Sequence, residues 1–297
     1  MEKKVSVIIP VFNEEQSIGE VVQSVLSALG QDTQVVVVDD GSTDGSAAAA
    51  GEAGALVIQH PYNMGNGAAV KTGIRNSLGE VLVMMDADGQ HQPEEIMELL
   101  KDIPRYDMVV GARGKRSQAN LQRSLANRIY NALASYVSSF RVIDLTSGFR
   151  AVKAECAERC LHLLPNGFSY PATITLALLK LGRSVKYVPI EAKARGGKSK
   201  IKPARDGIRF FLIIIKITTL FSPLRIFLPV SITFFLLGLG YYIYTFLMYH
   251  RFTNMSVLLF ITSVIIFMLG LVAEQVAQLR LDLGYAQEER NLRSGRK

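Results

Sequence analysis

Apolar positions fall along this chain in two regimes. Up to about residue 190 they form short strand-like runs: Val5–Ile9, Gln34–Val38, Ala55–Ile58, Val81–Met85, Asp107–Val110 and Ser184–Pro189. Between the first two, Ile18, Val21, Val22, Val25 and Leu29 recur at helical spacing, and Glu14 and Glu15 suit the positive end of that helix's dipole. Pro10, which has no N–H to donate, is expected to end the first strand. Ser42 or Thr43 is expected to cap the Ala-rich helix after the second. Asn63–Gly67 turns into a helix containing Lys71, and Pro93 stands at the first helical position of the next. Asn120–Ser138 and Gly167–Leu181 also read as helices. Nearly all-apolar strands that alternate with helices predict an α/β domain with a mostly parallel sheet covered on both faces.

The second regime is unbroken. Ile226–Tyr249 and Val257–Ala273 contain no Asp, Glu, Lys or Arg, and each approaches the roughly 20 residues needed to span a bilayer. His250–Asn254 joins them as a hairpin, with Pro229 placed to kink the first span and Tyr241, Tyr242, Tyr244 and Tyr249 toward its outer interface. Before the hairpin, Arg205, Arg209 and Lys216 share one helical face among Ile208 and Phe210–Ile215, a pattern for a helix lying in the membrane interface. The expected organisation is a domain over 1–202, an interfacial helix over 203–222, and a transmembrane hairpin over 223–280 with spans near 226–249 and 255–275. A basic tail over 281–297 follows.

Composition supports a membrane protein. The 297 residues are 49% hydrophobic yet carry a net charge of +7, and apolar excess with Lys and Arg excess fits spans with basic flanks. Basic clusters without interleaved aromatics give no nucleic-acid signature. Cations are dense before the first span and after the second, so the positive-inside rule places both termini in the cytoplasm, at the inner membrane. Met1–Lys4 lead straight into a strand with no cleavable signal pattern. Cys156 and Cys160 share a helical face near His162 and lack a fourth zinc ligand, so a structural role is expected.

Candidate chemistry gathers where strands end. In parallel sheets ligands bind at the carboxyl ends of strands. Pro10–Glu14, Asp39–Asp44, Gly65–Lys71 and Asp86–Gln90 all fall there. Asp86 and Asp88, one residue apart, can face one cation with Gln90 as a third oxygen ligand, and hard oxygen donors suit Mg²⁺ or Mn²⁺. Gly65-Asn66-Gly67 is a weak dinucleotide fingerprint, because Val70 stands at the third glycine's place.

Four motifs occur in order: Pro10-Val11-Phe12-Asn13-Glu14, Val38-Asp39-Asp40-Gly41-Ser42, Asp86-Ala87-Asp88-Gly89-Gln90-His91 and Asp144-Leu145-Thr146-Ser147-Gly148-Phe149-Arg150. Together they resemble glycosyltransferase family 2, in its dolichol-phosphate mannose synthase and polyprenyl-phosphate glycosyltransferase branch. The resemblance covers roughly residues 5–200, and the two-span tail is similar to that of bacterial membrane-anchored members. It implies a GT-A fold and inverting, metal-dependent transfer of a sugar from a UDP- or GDP-linked donor to undecaprenyl or dolichyl phosphate. It implies that Pro10, Phe12 and Glu14 wall the base and ribose, with Asp40 and Asp39 at the base and Lys71 also on the nucleotide side. Asp86, Asp88 and Gln90 become the metal ligands at the donor diphosphate. Arg113, Ser147 and either Arg123 or Arg128 become the acceptor-phosphate clamp. Arg195, Lys198, Ser199 and Lys200 become a diphosphate loop, in which Arg195 lies one residue closer to the lysine run than the family pattern has it. Asp144 is either a base or, preferably, an orienter of the Thr146–Phe149 loop, because a phosphate nucleophile already carries charge. Related members also imply a homotetramer. A processive polysaccharide synthase is excluded by the absence of any tryptophan and by the single hairpin. A catalytically silent, lipid-phosphate-binding scaffold of the same fold is the alternative.

Overall fold

The structure, a computed structural model, describes residues 4–30, 32–113, 121–167, 170–190, 218–219 and 221–294. It divides into two compact units, Met1–Gly207 and Ile208–Lys297.

The first unit is built on seven strands: β1 (Val5–Val11), β2 (Thr33–Asp39), β3 (Leu56–Gln59), β4 (Val81–Met84), β5 (Met108–Arg113), β6 (Arg150–Lys153) and β7 (Val185–Ile190). Helices α1 (Glu15–Leu29), α2 (Ser46–Glu52), α3 (Asn66–Arg75), α4 (Pro93–Leu100), α5 (Leu121–Ser138), α6 (Ala154–Cys160) and α7 (Tyr170–Lys180) connect them. The sheet order is β3-β2-β1-β4-β6-β5-β7. Every pairing is parallel except those of β6, which runs antiparallel to both β4 and β5. Val7, Ile9, Val35, Val37, Val83 and Val109 meet Ile18, Val22 and Ile96 of the helices in one core. The fully apolar strands thus take the two-sided burial that parallel sheets require.

Three local expectations need correction. β1 runs through Pro10, which pairs with Val38 of β2. The Ile8 carbonyl accepts from Met85 on the β4 side. Pro10, two residues on, faces that same side, where the β1–β4 ladder has ended at Ile8–Met84 and no donor is needed. Neither Ser42 nor Thr43 caps α2: Asp44 accepts from the Ser46 amide and hydroxyl at 3.1 and 2.5 Å, while Ser42 Oγ accepts from the Asn13 amide. Strand β6 is an addition, since Arg150 begins a strand rather than closing a loop. Cys156 and Cys160 are buried free thiols on α6.

The second unit contains α8 (Leu224–Tyr249) and α9 (Asn254–Ser294), packed against each other. Leu224–Tyr249 and Asn254–Arg280 are long and apolar enough to cross a membrane, and only 11% and 17% of their most apolar windows are buried. A soluble core helix would be mostly buried, so these surfaces call for an apolar solvent. The expected interfacial helix lies outside the described residues, apart from Thr218, Thr219, Phe221 and Ser222. Helix α9 continues to Ser294, through residues 275–294 that are rich in the strong helix formers Ala, Leu, Gln, Glu and Arg.

Candidate active site at the strand ends

The loops after β1 and β2 are tied to each other. Asn13, at φ +56°, donates its amide to Ser42 Oγ at 3.0 Å, and its Oδ1 accepts from the Thr43 amide at 2.9 Å. The Glu14 amide donates to Ser46 Oγ at 2.9 Å. This tie leaves Phe12 46% exposed beside half-buried Pro10 and Glu14, an aromatic face available at the rim.

Asp39 and Asp40 are both buried but differ in duty. Asp40 Oδ1 pairs with His60 Nδ1 at 2.8 Å and accepts from the Met64 amide at 2.9 Å, while Oδ2 accepts from the Gly65 amide at 2.8 Å. His60 Nε2 in turn meets Thr72 Oγ1 at 2.9 Å on α3. Asp40 therefore organises the loop into α3. Among the described residues, the Asp39 carboxylate has one hydrogen bond, from the Ser42 amide at 3.0 Å.

The start of α3 fits only glycine. A Cβ on Gly65 would come within 2.5 Å of the Asn166 carbonyl oxygen, and one on Gly67 within 2.1 Å of that of Pro165. Lys71, one turn on, donates to Asn166 Oδ1. Burial, then the charge of Arg75, pulls the Lys71 pKa below its usual value.

Beyond β4 the chain turns through Asp86-Ala87-Asp88-Gly89-Gln90. Asp88 Oδ1 accepts from the Gln90 amide at 3.2 Å, Gly89 takes φ +67°, and Ser17 Oγ of α1 holds the Ala87 carbonyl at 2.9 Å. His91 stacks on Phe149 with ring centroids 4.5 Å apart. Burial lowers the His91 pKa, against the attraction of Asp88 and Glu95.

Antiparallel β6 brings the Asp144–Phe149 loop back to this turn. The Asp86 carboxylate lies against Gly148, where a Cβ would sit 3.1 and 3.2 Å from its two oxygens. Asp144 accepts from Arg113 Nε at 3.0 Å and Nη2 at 3.3 Å, and from the Thr146 and Ser147 amides at 3.0 and 3.1 Å. Burial pushes the Asp144 pKa up, but the side-chain bond and charge of Arg113, with the Thr146 and Arg113 amides, outweigh it and hold the carboxyl below its usual range. Arg113 Nη2 also donates to Thr146 Oγ1 at 2.7 Å. Ser147 is buried with its hydroxyl turned to the Phe149 carbonyl.

Arg150 is wholly buried. Its Nη1 donates to the Pro171 carbonyl at 2.8 Å and to Thr175 Oγ1 at 3.1 Å, and its Nη2 to the Ser147 carbonyl. Burial pulls its pKa down while Tyr170, Tyr187, Asp144 and Asp86 oppose the shift, which places this cation within electrostatic reach of both site carboxylates. Sequence reading left Arg150, His60 and Asn131 without roles. The arginine directly after the Ser147-Gly148-Phe149 motif and before the apolar Ala151-Val152 pair was the available signal for the first.

The structure thus brings Asp86, Gly148, Asp144 and Arg113 together, with Asp88 and Gln90 in the same turn as Asp86. Arg128 is exposed on α5, and nothing is described of the Arg123 side chain. Arg195, Lys198, Ser199 and Lys200 lie outside the described residues. Among the described residues no three His, Cys, Asp or Glu side chains form a metal-binding group. Two carboxylates and an amide oxygen instead fit a cation that takes its remaining ligands from phosphates and water.

A mostly parallel sheet with one antiparallel strand, and an acid pair beyond a central strand, is the arrangement of a GT-A type glycosyltransferase. Residues 6–161 match the Glycosyl transferase family 2 model, and the chain belongs to that family. Residues 222–279 match the GtrB C-terminal hairpin. An uncharacterised protein of Methanocaldococcus jannaschii is 32% identical over 198 residues, covering 63% of this chain and 81% of that protein. The undecaprenyl-phosphate 4-deoxy-4-formamido-L-arabinose transferase of Pseudomonas fluorescens is 31% identical over 257 residues, covering 80% and 70%. The enzyme of that name from Photorhabdus laumondii is 34% identical over 169 residues, 54% of this chain, and the match spans about half (52%) of its length. Among solved structures, glucosyl-3-phosphoglycerate synthase of Mycobacterium tuberculosis with UDP shares the fold at TM-score 0.59 and 20% identity, over 73% of this chain and 80% of that one. The same enzyme has been crystallised with Mn²⁺ and UDP-glucose, at TM-score 0.56 and 21% identity over 71% and 79%.

Proposed function

We propose that this protein transfers a sugar from a UDP- or GDP-linked donor to a polyprenyl phosphate, with inversion, on the cytoplasmic face of a membrane. One observation carries the reading: a single chain holds a family 2 domain, with the Asp86 turn set against the Gly148 loop, and a GtrB-type hairpin apolar enough to span a bilayer. The relatives named as undecaprenyl-phosphate transferases support it.

Pro10, Phe12 and Glu14 border the base and ribose, and Asp39 accepts an N–H from the base. Asp40 acts behind it through His60 and the Met64–Gly65 amides. Lys71, Arg195, Lys198 and Lys200 add cations toward the diphosphate, and Ser199 a hydroxyl. When bound at Asp86, Asp88 and Gln90, Mg²⁺ or Mn²⁺ supplies positive charge against that growing on the departing nucleoside diphosphate. Arg113 and Ser147, with Arg123 or Arg128, hold the acceptor phosphate. One of its oxygens forms the bond to the anomeric carbon as the bond to the donor's β-phosphate oxygen breaks. The nucleophile is already anionic, so Asp144 serves by fixing Arg113 and the Thr146–Ser147 amides. Both reactants held at one crevice gain the proximity advantage of an intramolecular reaction. In the bacterial inner membrane both termini face the cytoplasm, and hairpins assemble as a homotetramer, which crosslinking in detergent tests.

The test is a panel of labelled nucleotide-sugars given to membranes with polyprenyl phosphate, with and without chelator. Wild type yields labelled lipid with at least one donor, and Asp88→Ala and chelation remove it. No labelled lipid from any donor points to the silent scaffold, and unchanged transfer by Asp88→Ala overturns the metal assignment.

A further inference from the structure

The end of β2, the end of β3 and helix α3 meet at one imidazole. His60 directly follows β3, and its amide donates to the Asp39 carbonyl at 2.8 Å, which ties the ends of the two strands. Its ring lies between Asp40 and Thr72, with Nδ1 2.8 Å from Asp40 Oδ1 and Nε2 2.9 Å from Thr72 Oγ1. The His60 and Asp40 side chains are 8% and 5% exposed, so water competes little for these bonds.

The partners fix the direction of the relay. Asp40 also takes the Met64 amide at Oδ1 and the Gly65 amide at Oδ2, as an acceptor-only carboxylate does. In the neutral ring the proton therefore sits on Nδ1, facing Asp40, and the bare Nε2 accepts from the Thr72 hydroxyl. Both ring nitrogens have protein partners, so neither is left for a ligand.

The ring joins the pieces that border the proposed donor site. Gly41, at φ +78°, lies so near the chain after β3 that a Cβ would come within 2.6 Å of the Tyr62 carbonyl carbon. The Met64–Gly65 turn wraps the same carboxylate and leads into α3, where Thr72 stands beside Lys71. We infer that His60 is a positioning residue of the donor site. Through Asp40 and Thr72 it holds the Asp39–Gly41 corner, the Met64–Gly65 turn and α3 in the one arrangement that receives the nucleotide, without touching the nucleotide itself. A site already held in its binding arrangement loses less freedom when the ligand arrives, so the relay acts on donor affinity. This deepens the proposed function and rests on its nucleotide-linked donor.

The test uses the full-length protein in detergent and measures binding of UDP and of GDP with Mn²⁺ by calorimetry, which requires no transfer. His60→Phe keeps a ring and removes both bonds. Thr72→Val keeps the branched shape and removes one bond, at a residue with no proposed donor contact. The nucleotide that wild type binds is expected to bind His60→Phe about tenfold more weakly, the scale of a lost buried hydrogen bond, and Thr72→Val severalfold more weakly. Thr72→Ser, and His60→Gln with an amide that offers both a donor and an acceptor, are expected to recover most of the loss. Thr72→Val added to His60→Phe should cost nothing further. In transfer assays KM for the donor should rise in His60→Phe and Thr72→Val while KM for polyprenyl phosphate keeps its wild-type value. Wild-type nucleotide affinity in either variant overturns the inference, and so do additive losses in the double variant. An equal rise in both KM values also overturns it, because the relay would then support the fold at large. If His60→Phe does not fold, Thr72→Val and Thr72→Ser decide. Wild type that binds neither nucleotide refutes the donor reading itself, a result distinct from wild-type binding that the variants retain.

Discussion

Asp86 and Gly148 touch across the antiparallel return of β6: a Cβ on Gly148 would lie 3.1 Å from one carboxylate oxygen of Asp86 and 3.2 Å from the other. That separation is tighter than ordinary van der Waals contact but far from an impossible clash. Gly148→Ala should therefore fold and push the Asp86 carboxylate by a few tenths of an ångström. Coordination tolerates little displacement, so Mn²⁺ affinity is expected to fall about tenfold, or ~1.4 kcal/mol, with a change in folding stability under about 1 kcal/mol. Titration of Mn²⁺ against the purified protein, beside thermal unfolding, checks both. Wild-type affinity in a folded Gly148→Ala protein would remove Gly148 from the proposed metal site.

The Arg113–Asp144 pair predicts a pH-dependent stability difference. Asp144 has its pKa held below the ordinary 3.8. A depressed carboxyl stabilises the fold fully above its unfolded value and loses that contribution as pH falls through the folded one. Asp144→Asn should cost about 2 kcal/mol at neutral pH, the scale of charge-assisted hydrogen bonds, and the gap to wild type should close below about pH 4. In transfer assays it should raise KM for polyprenyl phosphate and lower kcat by less than the roughly hundredfold minimum expected for loss of a general base. A larger kcat loss with unchanged KM would make Asp144 the base.

How far the sequence showed this site depends on whether its parts are local or paired at a distance. The parallel strands were readable because each is an apolar run closed by polar residues, and parallel sheets put ligands beyond those ends. Asp86, Asp88 and Gln90 were therefore visible as a turn with oxygen donors. The contacts that give the turn its surroundings were not visible. Four-residue β6 has no periodicity to detect, and only its antiparallel insertion between β4 and β5 lays Gly148 on Asp86. The division of labour between Asp39 and Asp40 depends on His60 and on the Met64 and Gly65 amides, 20 to 25 residues away. Composition and spacing hold no record of that choice.

Arg150 should be the most sensitive position outside the reacting groups. Its guanidinium joins the Ser147 carbonyl to Pro171 and Thr175 of α7. Arg150→Met strands those acceptors in the core and should cost about 3 kcal/mol. Arg150→Lys keeps the charge but cannot fork to both sides, so it should recover part of the stability and leave KM for the acceptor raised. Thermal unfolding and acceptor kinetics of the two variants test this. An Arg150→Met protein with wild-type melting and kinetics sinks the assignment.

In the hairpin, close approach and hydrogen bonding act together at the interface of α8 and α9. Ser231 Oγ donates to the Ser263 carbonyl at 2.9 Å, and Ser263 Oγ returns a bond to the Ser231 carbonyl at 3.0 Å. Toward the start of α8, the Leu224 amide donates to Glu274 Oε2 at 3.1 Å, satisfying one of the unpaired donors of a helix N-terminus. Between these ties Gly270 faces Phe227, and a Cβ on Gly270 would come within 2.6 Å of the phenylalanine Cβ. Lipid chains are as apolar as the helices, so packing and polar ties rather than burial from water hold such a pair together. Ser231→Ala and Ser263→Ala should each weaken the pair modestly, with a coupling of about 0.6–1.7 kcal/mol in a double-mutant cycle. Gly270→Leu must part the helices at Phe227 and should cost more than both serine changes combined, because the approach that permits the serine bonds is lost with it. Unfolding in mixed detergent micelles ranks the variants. A Gly270→Leu protein as stable as Ser231→Ala would mean that the helices separate there without consequence for the serines.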